Sequence, residues 1–398
     1  MFNFKEHKTT NDSLEQIYEE QIMQNIEAIL NKPYFDIDPE SDSLLKTLKN
    51  TLRVHQLIQN TTQLIKITKS WIRARQIVPE QANELGDIIH ILQTSPIISS
   101  DVYRQGTQLK LLITLESGLQ AIMKPQRYSR DYIAENSHSG NDRHNSEIVA
   151  FHVSRLLDFR ANPIVSSRRL NVLNNIKNLS TESLRKTFLE NEQNLCFYGE
   201  CYYCNEYDPV CPDQSGNLEA ALIMILPQQY KIQTIKNPWQ RTYRPSLQAK
   251  WQTNDHFCLE IKKSYTDERI LDFIDSSIFD FIIGNSDRHH YDVWKDVQNS
   301  ALLLIDNGKS FANPKLDELS ILFPLLQCCQ IRKKTYERLK YLSNYKTEDL
   351  LTYLLSDDIL WPLIISEHYK AMDRRIRIVL ESVALCQKKT NSNIIKKL

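Results

Sequence analysis

The spacing of apolar side chains along this chain changes character at Gly106. Before it, from residue 12 to about 100, the period is helical. Leu14, Ile17, Ile22, Ile26 and Ile29 keep it, and so do Leu52, Leu57, Leu64 and Ile67. Pro33, Pro39, Pro79 and Pro96 punctuate the region. The pattern predicts a helical appendage packed on the rest of the chain, or a helix that binds a partner. After Gly106, Thr107 to Leu115 is rich in apolar and β-branched residues. Glu116-Ser117-Gly118 reads as a turn, and Leu119 to Met123 as the returning strand of a hairpin. Lys124 ends that strand. A helix is expected from Glu147, with Ile148, Phe151 and Leu156 on its apolar stripe and Phe159 closing it.

Further on, Ala220 to Leu226 is an apolar run stopped by Pro227, which predicts a buried strand. Residues 267 to 283 predict a long apolar helix, and Gly284 a left-handed cap that releases the chain. Ala301 to Ile305 reads as another strand. Beyond Asn313-Pro314 the pattern is helical, and the last dozen residues are polar and expected to fray.

Candidate chemistry sits between the last two of these runs. GNSDRHHYD, followed by ALLLIDNGKSF, sets Asp287, Asp292 and Asp306 in the order of a phosphoryl-transfer site. Such a site needs one carboxylate to orient the attacking hydroxyl and others to hold metal ions against the phosphates. Asp287 and Asp292 have the offset of a kinase base and its metal-binding residue, and Asp306-Asn307-Gly308 resembles the metal-binding turn. A strand lysine, Lys124, followed 23 positions later by the helical Glu147, completes the phosphate-positioning pattern. Each feature alone is ordinary, since surface aspartates and first-turn glutamates abound. Their order along one chain is what points to a kinase. One element is missing: with eight glycines in the chain, no Gly-x-Gly-x-x-Gly loop precedes the hairpin. Gln108 and Lys110 are the candidates to cover the phosphates instead.

Composition narrows the setting. Lys plus Arg equals Asp plus Glu, at 49 each, which does not favour nucleic acid or a membrane surface as partner. No apolar run reaches the roughly 18 residues of a membrane helix. The polar start has no signal core, so the chain is cytosolic or a secreted protein whose leader lies outside this sequence. Eight cysteines, four of them clustered as Cys196, Cys201, Cys204 and Cys211, favour the second. The cluster means disulfides or zinc, and its single Cys-x-x-Cys pair favours disulfides. Glycosylation sequons stand at Asn11, Asn60 and Asn178.

CFYGECYYC, NPWQRTYR, IFDFIIGNSDRHHYD, LLLIDNGKSF and LDELSILFPLLQCCQIRKKTYERL together resemble the secretory-pathway atypical kinases. This family includes the Golgi casein kinase and the glycosaminoglycan xylosyl kinase. The resemblance runs from about Gly106 to Cys386 and is nearer the xylosyl kinase branch, in the spacing of Cys201 and Cys204 and in DNGKSFANP. It implies an α+β, bilobal, atypical protein-kinase-like fold with a small β-rich N-lobe and a mostly helical C-lobe. The expected division is a helical extension over 1–100, an N-lobe with a disulfide-rich insertion over 101–227, and a C-lobe over 228–398. It implies ATP and a divalent ion, Mn2+ or Mg2+, as cofactors.

The resemblance makes Asp287 the catalytic base and Asp306 a metal ligand, with Asp142 and Asp292 as further acidic positions. Asp292 stands where the family has Glu. Gln108, Lys110, Lys124, Glu147, Ile223, Met224, Ile225, Leu226, Asp292 and Asp306 would contact the nucleotide. The resemblance also implies the disulfides Cys196–Cys211, Cys201–Cys204, Cys258–Cys328 and Cys329–Cys386. It places the protein in the Golgi lumen or outside the cell, with a family-type dimer through the N-terminal helices. The expected function is phosphorylation of a xylose hydroxyl, position 2, in the galactosyl-xylose linkage region of proteoglycans. Tyr128, Tyr202, Tyr203, Trp239, Arg241, Tyr243 and Arg244 are candidates to contact the sugar. A serine kinase acting on acidic Ser-x-Glu segments is the alternative, and a pseudokinase activator of a paralogue the third reading.

Overall fold

The computed structural model describes residues 13–55, 61–190, 194–227, 229–242 and 247–397. Asn11, Asn60, Leu57, Tyr243 and Arg244 lie outside them. Four helices come first: α1 (Leu14–Leu30), α2 (Ser43–Asn50), α3 (Thr61–Trp71) and α4 (Leu85–Thr94). Ser13 opens α1 with a capping box, its hydroxyl accepting from the Gln16 N–H while Gln16 reaches back. Tyr18, Ile22 and Ile26 bury the inner face of α1.

The region is not helical to residue 100. The strand β1 (Ile97–Val102) begins directly after Pro96, and Leu52 lies in the turn after α2. The hairpin comes next as β2 (Leu111–Leu115) and β3 (Gln120–Pro125), with Leu111 opposite Met123. Its first strand starts later than expected, leaving 104–110 as a loop. Gly118, at φ 79°, makes the turn. After the hairpin come α5 (His144–Leu156), β4 (Val165–Asn171), α6 (Glu182–Arg185), the small ladder β5 (Phe188–Glu190) and β6 (Leu195–Phe197), and β7 (Asn217–Met224). The main sheet is antiparallel, in the order β1-β2-β3-β7-β4. Helix α5 packs on its β4 and β7 strands.

The chain continues through β8 (Ile232–Lys236), α7 (Lys250–Thr253), α8 (Phe257–Ile261), α9 (Asp267–Ile283) and β9 (His290–Trp294). Thr266 caps the start of α9, and Gly284, at φ 68°, ends it in the left-handed conformation. β8 pairs with β9, so the segment after Asp287 is held as an antiparallel ladder.

The run Ala301–Ile305 forms no full strand, only a single bridge between Leu303 and Asp292. Its neighbouring N–H groups go elsewhere, Ala301 to the Ala74 carbonyl at 2.8 Å and Leu304 to the Ala161 carbonyl at 2.9 Å. It is therefore a stitch between distant segments.

The end of the chain holds α10 (Phe323–Cys328), β10 (Ile331–Arg332), α11 (Lys333–Leu342), α12 (Thr347–Leu355), α13 (Ser366–Thr390) and β11 (Ile395–Lys396). The last described residues are held rather than frayed: β11 pairs in parallel with β10, and Ile394 is buried. Buried Arg377 on α13 donates to the carbonyls of Ile29, Leu30 and Lys32. It thus satisfies acceptors at the end of α1 and ties the first helix to the last long one.

All eight cysteines pair, as Cys196–Cys211, Cys201–Cys204, Cys258–Cys328 and Cys329–Cys386.

Candidate active site

β3 delivers Lys124 to the inner end of the sheet, where it is almost fully buried. A lone ammonium there would be costly. Three carboxylates meet it: Glu147 from the first turn of α5 at 2.6 Å, Asp142 from the loop before it at 2.7 Å, and Asp306 at 2.5 Å. Burial alone would depress the Lys124 pKa; Asp142, Asp306 and Glu147 overcome it and hold the amine well above its usual range. Burial pushes Glu147 upward against the pull of Lys124. Asp306 goes the other way. Burial would raise it, yet Lys124 and Lys110 hold it far below the carboxylate range. The Lys110 amine lies 3.6 Å from Asp306.

Asp306 has φ 60°, an unusual backbone for a residue with a side chain, and one that gathers at functional turns. Two residues on, Gly308 leaves room for Asp142. A Cβ there would stand 2.7 Å from the Asp142 carboxyl carbon. The Arg143 N–H donates to the Gly308 carbonyl at 2.7 Å, which fastens this turn to the loop carrying Asp142.

Asp287 sits in the loop between α9 and β9. Its N–H donates to Asn285 Oδ1 at 3.2 Å, and its carbonyl accepts from the His289 N–H at 2.9 Å. Lys309, in the turn after Asp306, bonds to the Gly140 carbonyl. Its pKa is lowered by burial, while Asp142, Asp287 and Asp306 all act to raise it. The Lys309 amine itself stands 3.9 Å from Asp142. Arg288 braces the same turn from behind. It donates to Asp280 at 2.6 Å, to the Ile305 carbonyl at 2.7 Å and to Asn307 Oδ1 at 2.7 Å.

Residues 63–394 match the family model described as Golgi casein kinase, C-terminal, Fam20. The chain belongs to the Fam20 family. It is 43% identical over 326 residues to the human protein named glycosaminoglycan xylosylkinase, covering 81% of this chain and 80% of that one. Among solved structures, hydra Fam20 with sugar matches with a TM-score of 0.80 at 37% identity, over 85% of this chain and 98% of that one. The Golgi casein kinase with Mn and ADP bound matches with a TM-score of 0.76 at 26% identity, over 98% of this chain and 94% of that one. The Fam20 fold is thus common to all three, and this chain is a phosphotransferase of the kinase type.

Within this Fam20 site the expected acids do not gather as one trio. Among the described residues, no three His, Cys, Asp or Glu side chains form a group able to hold a metal ion. Asp142 and Asp306 meet at Lys124, whereas Asp292, on β9, accepts from Thr234 at 2.6 Å. Asp292 is buried, with its carboxylate 3.8 Å from the His290 ring nitrogen. Ile223 and Met224 end β7, with Ile225 and Leu226 just beyond; the Ile225 N–H is taken by the Gln120 carbonyl at 3.0 Å. Gln108, Lys124, Asp142, Cys201, Tyr203 and Cys204 line one small pocket.

That pocket lies beside the loop 104–110 that precedes β2. The hairpin closed by Cys196–Cys211 leans on three segments around it. Tyr203 donates its N–H to the Thr107 carbonyl at 3.2 Å, and Glu200 accepts from Arg104 at 2.8 Å. Asp208 pairs with Arg127 and accepts from Asn141 at 3.3 Å.

The candidate sugar contacts separate. Tyr202 and Tyr203 are exposed. Tyr128 is stacked on Tyr132, and its hydroxyl accepts from the Asn141 N–H at 2.8 Å. Trp239 is largely core, donating to Gln327 and set edge-on against Phe257 and Phe273. Arg241 pairs with Glu318 at 2.5 Å. Both Trp239 and Arg241 still line a cleft with Asn285, Ser286, Arg288 and His289, the residues flanking Asp287. Sequence reasoning missed Arg288 and Lys309. Both lie inside the quoted motifs, but their roles come from partners far apart in the chain.

Proposed function

We propose that this chain transfers the γ-phosphoryl group of ATP to a xylose hydroxyl, position 2, in the galactosyl-xylose linkage region of proteoglycans. The observation that carries the acceptor class is the likeness to the human xylosylkinase, even over four-fifths of both chains. Likeness to the sugar-bound hydra structure supports it. A pseudokinase role finds no support in the site, because Lys124, Glu147, Asp287 and Asp306 are all present and the first two pair.

The residues fit a nucleotide with a hard divalent ion. Two carboxylates, Asp142 and Asp306, present oxygen donors side by side, and a Mg2+- or Mn2+-type ion needs only one or two of these besides phosphate oxygens and water. When bound, the ion screens the phosphates and stabilises charge on the transferring group. Lys124, held by Glu147, positions the phosphates. Lys110 and Gln108 reach over them from the loop that the disulfide hairpin supports. Asp287 orients the acceptor hydroxyl and takes its proton, an effect of about 10²–10⁴-fold in rate. Ile223 to Leu226 line the adenine side. The lobes 101–227 and 228–398 close on the nucleotide, and the helices before them brace the pair. Four disulfides suit the oxidising secretory lumen, where we place the reaction.

Incubation with labelled ATP, Mn2+, a galactosyl-xyloside and casein tests this reading. Label is expected on the xyloside, with the phosphate at the xylose 2-hydroxyl by NMR. Label on casein alone would assign the serine kinase instead.

A further inference from the structure

Among the described residues, one buried guanidinium stands without an acceptor on any of its nitrogens. Arg143, the N-cap of α5, is only 6% exposed. Among the described residues, none accepts a hydrogen bond from any of its three guanidinium nitrogens. It faces the ring of Tyr128 at 5.5 Å, and that ring is stacked on Tyr132. Arg375 and Arg377, buried at least as deeply, bond to Asp317 and to main-chain carbonyls. A guanidinium left with a ring alone is the exception that calls for an explanation.

The space before it is a small pocket, open to solvent, lined by Tyr128, Arg130, Tyr132, Arg143, His144 and His368 among others. His368 is 2% exposed, and its Nδ1 has no partner among the described residues. Arg130 is already paired with Glu219 at 2.7 Å. Burial holds His144 and His368 below the usual histidine range, so the charge facing the pocket at neutral pH is that of Arg143. The thirteen-residue helix α5 starts here and adds the positive end of its dipole. The mouth lies at the exposed Ser129 and Tyr132.

We propose that this pocket binds a tetrahedral oxyanion of the phosphate or sulfate class, held by Arg143, His368 and the start of α5. The ligand is a free ion or a group carried on a sugar. The site adjoins the catalytic cluster: Arg143 follows Asp142, and its own N–H holds the Gly308 carbonyl. An ion here fixes the junction from which Asp142 points at Lys124.

The test is thermal unfolding of the whole protein against inorganic phosphate, with NaCl matched for ionic strength and saturating Mn·ADP filling the nucleotide site. A parallel titration uses a xylose phosphate. A saturable rise in Tm is expected, with affinity at least about tenfold weaker in Arg143→Met. Response to inorganic phosphate assigns the free ion, and response to the sugar phosphate alone assigns a group on a glycan. Ser129→Glu places a repelling carboxylate at the exposed mouth and should weaken binding even if Arg143→Met does not fold. No saturable rise with either ligand, or a rise undiminished in both variants, overturns the proposal and leaves Arg143 a ring-stacked structural residue.

Discussion

At the residue scale, the site is a balance between one buried amine and the acids around it. Asp287 stands apart from the Lys124 cluster, partly exposed at 33%, and Lys309 is among the charges it acts on. Asp287→Ala should lower turnover by about 10²–10⁴-fold while the protein still unfolds in one cooperative transition. Retained turnover would mean that another group takes the proton. Gly308 makes a subtler prediction. Its backbone needs no glycine, but Asp142 fills the place of its Cβ. Gly308→Ala should displace that carboxylate and raise the Mn2+ concentration needed for half-maximal activity, with a stability cost of about 1–3 kcal/mol. An unchanged Mn2+ requirement would remove Asp142 from the metal site. Lys124, Glu147 and Asp306 were legible in the sequence because a hairpin, a helix and a turn fix their order. Lys309, Arg288 and Arg143 were not. A lysine in DNGKS or an arginine in SDRHH looks like any solvated charge until Asp142, Asp280 or an absent acceptor is seen beside it.

At the scale of elements, the strongest signals were the long ones. Helix α9 keeps its expected limits because its apolar stripe, its Thr266 cap and its closing glycine agree. Gly284 carries two constraints at once: φ 68°, and the Arg375 guanidinium only 2.7 Å from where a Cβ would sit. Gly284→Ala should cost about 2–4 kcal/mol, read as a lower urea midpoint with an unchanged slope. Loss of under about 0.5 kcal/mol would show that the loop carrying Asp287 is looser than its hydrogen bonds imply. Short elements misled. β1 has six residues, with Ser99 and Ser100 inside it, and stands directly after a helical region. Ala301 to Ile305 carries a strand's composition, but its N–H groups are claimed by Ala74, Asp292 and Ala161 in turn. Periodicity registers burial; it does not register which partner takes a hydrogen bond.

At the scale of the whole molecule, stability should depend on pH through a group remote from catalysis. Asp373 on α13 is pushed up to about 6, by burial first, while it accepts from the Thr347 N–H at 2.8 Å. The folded state then holds its proton more tightly than the unfolded chain does. Stability from this group is complete below about pH 4 and is lost as pH rises through 6. Asp373→Asn should stabilise the protein by about 1–3 kcal/mol at pH 7 and by almost nothing at pH 4. An equal gain at both values would point to packing instead. Cysteine pairing was the global feature least legible from spacing, which left zinc open. The resemblance supplied the pairing, and the folded chain explains it: Cys258 and Cys329 bring α8 and the end of α10 to Cys328 and α13.

The hairpin between Cys196 and Cys211 carries a lesson for anyone exchanging parts among these kinases. It grips Arg104 and Thr107 on one side, Arg127 below and Asn141 on the other. A chimaera that imports a cousin's bridge without its three abutments would inherit a roof cut for another building. Nucleotide handling would suffer before acceptor choice did.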